Sequence, residues 1–143
     1  RTIFENGLIK ALQNRKEKSL IVLGKPELNT EKQIGNLTII SHLDSQKLNA
    51  AMLQSELVIC RSGYSTIMDL IKLEKNAFFI PTPGQTEQEY LARILMGKKI
   101  CYMQKQSEFN LELGIYKCGN FSGFKNNKHT QYNWKELLSF TFC

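Results

Sequence analysis

Residues with chemically useful side chains are concentrated in three short segments, and each segment directly follows a run of apolar residues. The segments are residues 41–44, 61–66 and 82–89, which contain hydroxyls, amides, carboxylates and glycines. Such groups bind phosphates and polyhydroxylated ligands through hydrogen bonds. If the apolar runs are parallel strands, the segments lie at the carboxyl edge of the sheet, where ligands bind in open α/β folds.

The segment after Cys60 is predicted to bind an anion. Gly63 allows a tight turn and the close approach of a ligand, and Ser62, Ser65 and Thr66 are expected to cap a helix that begins here. The first N–H groups of that helix and the positive end of its dipole would then face outward. A plain capped helix is the alternative, because the sharper phosphate motifs GxxxxGKS/T and GxGxxG are absent.

Two charged residues accompany this turn. Asp69 lies about one and a half turns into the predicted helix, where its carboxylate could accept two hydrogen bonds from the diol of a ribose. The alternative is an acid that merely complements the helix dipole. For Arg61 we leave two roles open, support of the loop and contact with phosphates.

The third segment is predicted to bind a sugar. Residues 81–84 (PTPG) form a rigid turn after a strand. Residues 85–89 (QTEQE) then place amides and carboxylates at the start of the next helix, where they suit the hydroxyls of a sugar. A polar first turn that only caps the helix is the alternative.

Apolar runs and helical periodicity alternate along the chain. We predict strands at residues 19–24, 37–41, 56–60, 77–80 and 99–103, and helices at residues 2–15, about 48–53, 64–74 and 87–96. Continuously apolar strands that alternate with helices indicate an α/β fold with a Rossmann-like parallel sheet and helices on both faces. Residues 119–131 are predicted to form a loop, and residues 132–143 a closing segment that packs Trp134, Leu137 and Leu138 onto the body.

Composition and residue spacing argue against nucleic-acid binding and metal binding. The chain has 143 residues and a formal net charge of +6, but its basic residues are not interleaved with aromatics as in nucleic-acid-binding patterns. The four cysteines lack metal-ligand spacing and are predicted to be buried, reduced thiols. We therefore expect no nucleic acid, no metal and no cofactor, and a cytoplasmic location.

The sequence ELVICRSGYSTIMDLIKLEKNAFFIPTPGQTEQEYLA, residues 56–92, resembles the C-terminal domain of family 28 glycosyltransferases. Within that family the pattern is similar to the transferases that add N-acetylglucosamine to a lipid-linked peptidoglycan precursor. The similarity extends over roughly residues 37–103. It implies the C-terminal, donor-binding half of a GT-B enzyme that transfers a hexosyl group from a UDP-sugar to an acceptor.

The resemblance also implies roles for individual residues. Backbone at Leu43 would contact the uracil edge, Asp69 the ribose, and Gln88 and Glu89 the donor sugar, with Gln85 nearby. The residues implied to surround the diphosphate are Ser62, Gly63, Tyr64, Ser65 and Thr66, with Arg61 beside them. The family has Glu at position 69, a second Gln at position 89 and a histidine turn at Gly84–Gln85, so the sugar need not be N-acetylglucosamine.

The resemblance predicts that residues 1–143 form a single donor-binding domain without its first strand and without the N-terminal acceptor domain. A catalytic residue is then expected outside this chain. The implied partners are a UDP-sugar and an acceptor domain or partner subunit, with peripheral association at the inner face of the membrane. Two alternatives remain, a nucleotide-sugar hydrolase or epimerase of the same fold, and a non-catalytic subunit of a split glycosyltransferase.

Overall fold

A computed structural model describes residues 2–125 of the chain. The chain divides after Ala50 into two compact units, each with its own three-stranded sheet. The closing segment predicted at residues 132–143 lies outside the described residues, as do residues 126–131 of the loop predicted before it.

The first unit contains helix α1 (Thr2–Leu12) and strands β1 (Ser19–Val22), β2 (Glu31–Ile34) and β3 (Leu37–Ile40). Strand β3 lies in the middle of its sheet, parallel to β1 and antiparallel to β2. Gly35, with φ of +58°, allows the tight turn from β2 into β3. Helix α2 (Ser45–Gln54) spans the boundary between the units.

The first strand of the second unit is β4 (Val58–Cys60), and two helix and strand pairs follow it. Helix α3 (Tyr64–Leu73), strand β5 (Ala77–Phe79), helix α4 (Thr86–Gly97) and strand β6 (Tyr102–Met103) follow in order. A 3-10 turn (Gln106–Glu108) then precedes helix α5 (Leu111–Cys118). The sheet is entirely parallel, with β5 between β4 and β6.

The core of the second unit is built around β5. All three of its residues are fully buried, as is Ile80 directly after it. Helices α3 and α4 contribute apolar side chains with no exposed surface, namely Ile67, Leu70, Leu91, Ala92 and Leu95. Complete burial of each large apolar side chain stabilises a fold by roughly 1.5–3 kcal/mol, so this unit provides a rigid base for the loops at the ends of its strands.

The predicted α/β fold class is confirmed: each of the five predicted strands pairs in parallel with another of them. Helices separate these strands in the chain except between β1 and β3, which are connected through the antiparallel strand β2. Three elements were not predicted: the polar strand β2, the 3-10 turn and helix α5. No helix among residues 2–125 is both long and apolar enough to cross a membrane.

Candidate functional site

The turn between β4 and α3 is short and open. Strand β4 ends at Cys60 and helix α3 begins at Tyr64, with Gly63 in the N-cap position at φ −73° and ψ 151°. No side chain caps this helix, so the prediction that Ser62, Ser65 and Thr66 cap it is wrong. A Cβ atom added at Gly63 would meet no atom of residues 2–125 within 4 Å, apart from its own chain neighbours, so in this part of the chain the space beside this backbone is free.

The start of α3 offers unsatisfied backbone donors. The first bond of the helix runs from the Ile67 N–H to the Gly63 carbonyl at 3.0 Å. Within residues 2–125 no hydrogen bond is made by the backbone N–H groups of Ser65 and Thr66. Because the first turn of α3 carries no acidic residue, the helix dipole and these donors together favour an anion.

Ser62 faces inward rather than toward this open space. Its side chain is fully buried, and its hydroxyl donates a 2.7 Å hydrogen bond to the backbone carbonyl of Gln88 in the first turn of α4. In this structure the Ser62 hydroxyl therefore joins the two loops that the sequence assigned to phosphate and sugar.

Arg61 supports the same pair of loops. Its Nη1 donates to the carbonyl of Ile80 at 2.9 Å and, at 3.4 Å, to that of Pro81. Of the two roles left open for Arg61, the structure shows support of the loop that follows β5.

The loop after β5 is a tight turn with a second internal bond. The Gln85 N–H donates to the Thr82 carbonyl at 3.0 Å, and Gly84 has φ of +82°. Proline and then glycine with positive φ at the two central positions are typical of a type II turn. The Thr82 N–H donates to Oε1 of Gln88 at 2.8 Å, so the turn is fixed to the start of α4.

The first turn of α4 differs in charge from that of α3. It carries Glu87 and Glu89, and no ion pair or hydrogen bond engages the Glu89 carboxylate among the described residues. Glu89 is half-exposed and Gln85 is exposed. Two carboxylates at this end repel a further anion, whereas carboxylate oxygens accept hydrogen bonds from hydroxyl groups.

Asp69 lies on the exposed surface of α3 beyond its first turn. The effect of the helix dipole falls off within the first turn, so an acid that serves only the dipole is disfavoured at this position. No hydrogen bond or ion pair to the Asp69 carboxylate is present within residues 2–125. Tyr64 and Thr66, at the helix start, are half-exposed, and Ser65 is exposed.

The segment after β3 belongs to the first unit. Ser41 is buried, and its hydroxyl accepts from the Thr30 N–H and donates to the Leu28 carbonyl, both at 3.0 Å. Asp44 caps α2 by accepting from the Lys47 N–H at 2.8 Å. Leu43 is half-exposed, and its contact with a uracil stays a prediction.

The thiols of the second unit are unsuited to nucleophilic chemistry. Cys101 and Cys118 are buried and free, and burial raises the pKa of Cys101 to about 12 and that of Cys118 to about 11. Burial also raises the pKa of Cys60, far above the ordinary value for a thiol. All three thiols are therefore protonated near neutral pH. Of the cysteines predicted to be buried, Cys101 and Cys118 are buried, Cys60 is half-exposed, and Cys143 lies outside the described residues.

One cavity of about 260 Å³ lies at the opposite end of the second sheet. It is lined by residues that precede β4 and β5 and by the segment after α5, among them Glu56, Asn76 and Ser122. No pattern in the sequence indicates this cavity. It is separate from the loops at the carboxyl ends of the strands and contains none of the predicted site residues.

The described features define a class of protein: an α/β domain with a Rossmann-like parallel sheet, an uncapped helix start that favours an anion, and a neighbouring acidic, amide-rich turn. A profile of the glycosyltransferase family 28 C-terminal domain matches residues 6–138, so the chain belongs to that family.

A solved structure shares the fold. The protein described as "Crystal Structure Analysis of the Glycotransferase of kitacinnamycin" superimposes with a TM-score of 0.64 at 11% sequence identity. The match covers 99% of this chain but 34% of the other, so this chain spans a minor part of that enzyme's length. No curated protein sequence gives a significant match.

Proposed function

We propose that the second unit binds the diphosphate and sugar of a UDP-sugar as the donor half of a hexosyltransferase. The observation that carries the proposal is the contrast between two neighbouring helix starts. Helix α3 begins with unused N–H donors and no acid, whereas α4 begins with Glu87 and Glu89. An anionic group is favoured at the first and a neutral, hydroxyl-rich group at the second.

A donor molecule would then be divided between these two helix starts. The diphosphate would lie over Gly63, where an added Cβ would meet no non-neighbouring atom of the described residues within 4 Å, and over the N–H groups of Ser65 and Thr66. The ribose diol would meet the exposed carboxylate of Asp69, and the sugar would meet the first turn of α4. The N–H groups and the dipole of α3 would stabilise the charge that develops on the diphosphate as the sugar leaves.

We propose further that the acceptor, and the group that activates it, bind or lie outside this domain. We place them in an acceptor domain or partner subunit at the inner face of the membrane. Family membership supports this arrangement, since the matching family is a C-terminal domain.

We also propose that one more parallel strand pairs with the free edge of β1 in the first unit. On the β3 side of β1, the N–H groups of Ser19 and Leu23 donate to the carbonyls of Asn36 and Ile40, at 3.0 and 2.9 Å. The backbone N–H and C=O groups of Leu20 and Val22 therefore face the opposite side of β1. No strand among residues 2–125 pairs with that side, and Ile3 on α1 is 86% exposed. A parallel strand beside β1 would pair the free backbone groups and cover apolar surface.

Hydrogen exchange tests this added strand. In the full-length protein the amides of Leu20 and Val22 should exchange as slowly as that of Ile21, which faces β3. Rapid exchange at Leu20 and Val22 beside a protected Ile21 would contradict the added strand.

Calorimetric titration of the full-length protein with UDP tests the donor site. A methyl group at Gly63 is accommodated by the protein but would intrude on a ligand that approaches this backbone. Gly63→Ala should therefore leave the unfolding transition intact and weaken UDP binding by roughly tenfold, about 1.4 kcal/mol.

Gly97→Ala is the matched control, since a Cβ at Gly97 also meets no atom within 4 Å, and Gly97 lies at the far end of α4. UDP affinity should be the same in this variant as in the wild type. The proposal fails if the folded protein does not bind UDP, or if Gly63→Ala binds UDP as tightly as Gly97→Ala does.

A further inference from the structure

The two edges of the second sheet differ in charge. Its strands are parallel, so helices α3, α4 and α5 begin at the carboxyl edge and end at the amino edge. Acidic residues occur in the first turns of α4 and α5, at Glu87, Glu89 and Glu112. The segment after α5 crosses the amino edge, where its N–H groups donate to the carbonyls of Lys99 and Lys75 at 3.1 Å.

The amino edge has an excess of positive charge. Six lysines and two glutamates lie there within residues 51–125, which leaves four positive charges unbalanced. Both glutamates, Glu56 and Glu74, line the cavity described above together with Lys75 and Lys125. The other four lysines are exposed at the ends of the helices and form a surface that we call the basic edge: Lys72, Lys98, Lys99 and Lys117.

The helices themselves explain only part of the basic edge. Cations in the last turn of a helix interact favourably with its dipole, which accounts for Lys72 in α3 and Lys117 in α5. Lys99 lies beyond the end of α4 with φ of +58°, a conformation in which glycine is usual after a helix. Within residues 2–125 no hydrogen bond or ion pair engages the ammonium group of Lys72, Lys99 or Lys117, so these charges are available to a partner.

An exposed aromatic side chain adjoins the basic edge. Tyr116, in the last turn of α5 beside Lys117, is 76% exposed, and Leu113 one turn earlier is 45% exposed. Tyrosine combines an apolar ring with a polar hydroxyl, which suits the boundary between water and the headgroups of a bilayer. Lysines next to such an apolar group are typical of surfaces that lie on anionic membranes.

We propose that the basic edge and Tyr116 bind the surface of a membrane that contains anionic lipids. A membrane fits this surface better than a protein or a nucleic acid, because all four of its charges are lysines. Lysine is depleted in protein interfaces. Arginine, which binds carboxylates and phosphates in a fixed geometry, lies elsewhere in the second unit, at Arg61 after β4 and Arg93 within α4. Flexible point charges suit a diffuse negative surface.

Binding through the basic edge would place the proposed donor site on the side away from the lipid. The ten residues of α3 separate the two edges, and a helix of that length spans about 15 Å. Surface charge is screened over about 8 Å at physiological ionic strength, so the membrane would not repel a diphosphate that arrives from the aqueous side. The membrane surface itself does not depend on the donor site, because vesicle binding and UDP binding are measured separately.

Sedimentation of the full-length protein with lipid vesicles tests the proposal. The wild type should bind vesicles of phosphatidylcholine and phosphatidylglycerol more tightly than vesicles of phosphatidylcholine alone. Lys99→Gln and Lys117→Gln should each weaken that binding roughly fivefold, the effect of one lysine at an anionic surface. Lys105→Gln, the same change at an exposed position after β6, is the matched control and should bind as the wild type does.

Two glycine substitutions separate charge from stability. Lys99 and Glu74 both have positive φ, +58° and +55°, so Lys99→Gly and Glu74→Gly should both raise the melting temperature. Lys99→Gly should nevertheless weaken binding to the anionic vesicles, whereas Glu74→Gly, which removes a negative charge from the same edge, should retain or strengthen it. If both substitutions changed vesicle binding in the same direction, the proposal would be wrong.

Salt distinguishes the contribution of Tyr116. Tyr116→Ser should weaken vesicle binding at low and high salt alike, whereas the effect of the lysine substitutions should diminish as salt screens the charges. The proposal is overturned if the wild type does not prefer the anionic vesicles. It is also overturned if Lys105→Gln loses as much affinity as Lys99→Gln, as expected of binding through net charge alone. Failure to bind UDP, with vesicle binding retained, would contradict only the donor site.

Discussion

Nη1 of Arg61 donates a 2.9 Å hydrogen bond to the carbonyl oxygen of Ile80, which connects the turn after β4 to the loop after β5. Ile80 is fully buried, so its carbonyl has little access to water and depends on this donor. The turn after β4 and the loop after β5 are thus held together by Arg61, for which the sequence left open both support of the loop and contact with phosphates.

Arg61→Ala should lower the stability of the fold. A buried carbonyl that loses its partner costs about 1–3 kcal/mol, and the free energy of unfolding in urea should fall by that amount. Arg61→Lys retains one donor and should lose less. If Arg61 acted only on phosphates, Arg61→Ala would weaken UDP binding and leave the unfolding free energy unchanged.

Gly114 is required for the packing of α5 on β5. A Cβ at this position would overlap the ring of Phe78, which is fully buried. Alanine is a better helix former than glycine by about 1 kcal/mol, but overpacking of a dense core costs typically 1–3 kcal/mol. Gly114→Ala should therefore lower the melting temperature, whereas Gly97→Ala, with open space around it, should leave it unchanged or raise it.

The buried thiol of Cys101 should make stability fall at alkaline pH. Burial raises its pKa from 9.0 to about 12, so above pH 9.0 the unfolded chain loses this proton while the folded chain keeps it. The stabilisation is complete below pH 9.0 and is lost as the pH rises toward 12, by about 1.4 kcal/mol per pH unit.

Cys101→Ala removes this titration. The slope of unfolding free energy against pH, measured by urea denaturation between pH 9 and 11, should be less steep in the variant by about that amount per unit. Equal slopes in the two proteins would show that Cys101 does not stay protonated in the fold.

Asp69 should recognise the ribose. An exposed carboxylate without a partner in the described protein is free to accept bonds from both ribose hydroxyls. UDP should therefore bind several-fold more tightly than 2′-deoxy-UDP, by about 1 kcal/mol. Asp69→Ala should bind the two nucleotides equally, and discrimination that survives the substitution would assign the ribose contact elsewhere.

Strands β1, β4 and β5 could be predicted from sequence because their apolar runs are continuous. The runs at residues 19–22, 58–60 and 77–79 have few structural alternatives once bounded by glycine, proline or polar residues. Strand β2 (EKQI) could not be predicted in this way, because its sequence is polar and three of its four residues are exposed. Its existence depends on pairing with β3 rather than on its own composition.

Helix α5 was missed although it has a recognisable beginning. Asn110 caps it by accepting from the Leu113 N–H at 3.0 Å, and Gly119 follows its last residue, which is the usual pattern at helix ends. The glycine at position 114 obscured the helical pattern, because glycine inside a helix normally argues against one. Glycine is needed at position 114 because a larger side chain would overlap the ring of Phe78, a residue distant in sequence.

The position of the candidate site could be predicted from sequence better than the roles of its individual residues. Segments 61–66 and 82–89 follow strands of one parallel sheet, as expected from their sequence. The hydrogen bond between Ser62 and Gln88 joins residues 26 positions apart, and no local pattern indicates it. Serine after a strand predicts a helix cap, whereas here the hydroxyl is buried and the cap position falls to Gly63.

The most direct test of the account is a comparison of UDP with uridine by ¹H–¹⁵N NMR on the full-length protein. UDP should shift the backbone amide resonances of Gly63, Ser65 and Thr66 strongly, and uridine should not. The amide resonances of Glu87 and Glu89 should respond weakly to both. Equal responses to UDP and uridine at the start of α3, or a phosphate-dependent response at α4 instead, would contradict the central claim that the uncapped start of α3 binds the diphosphate.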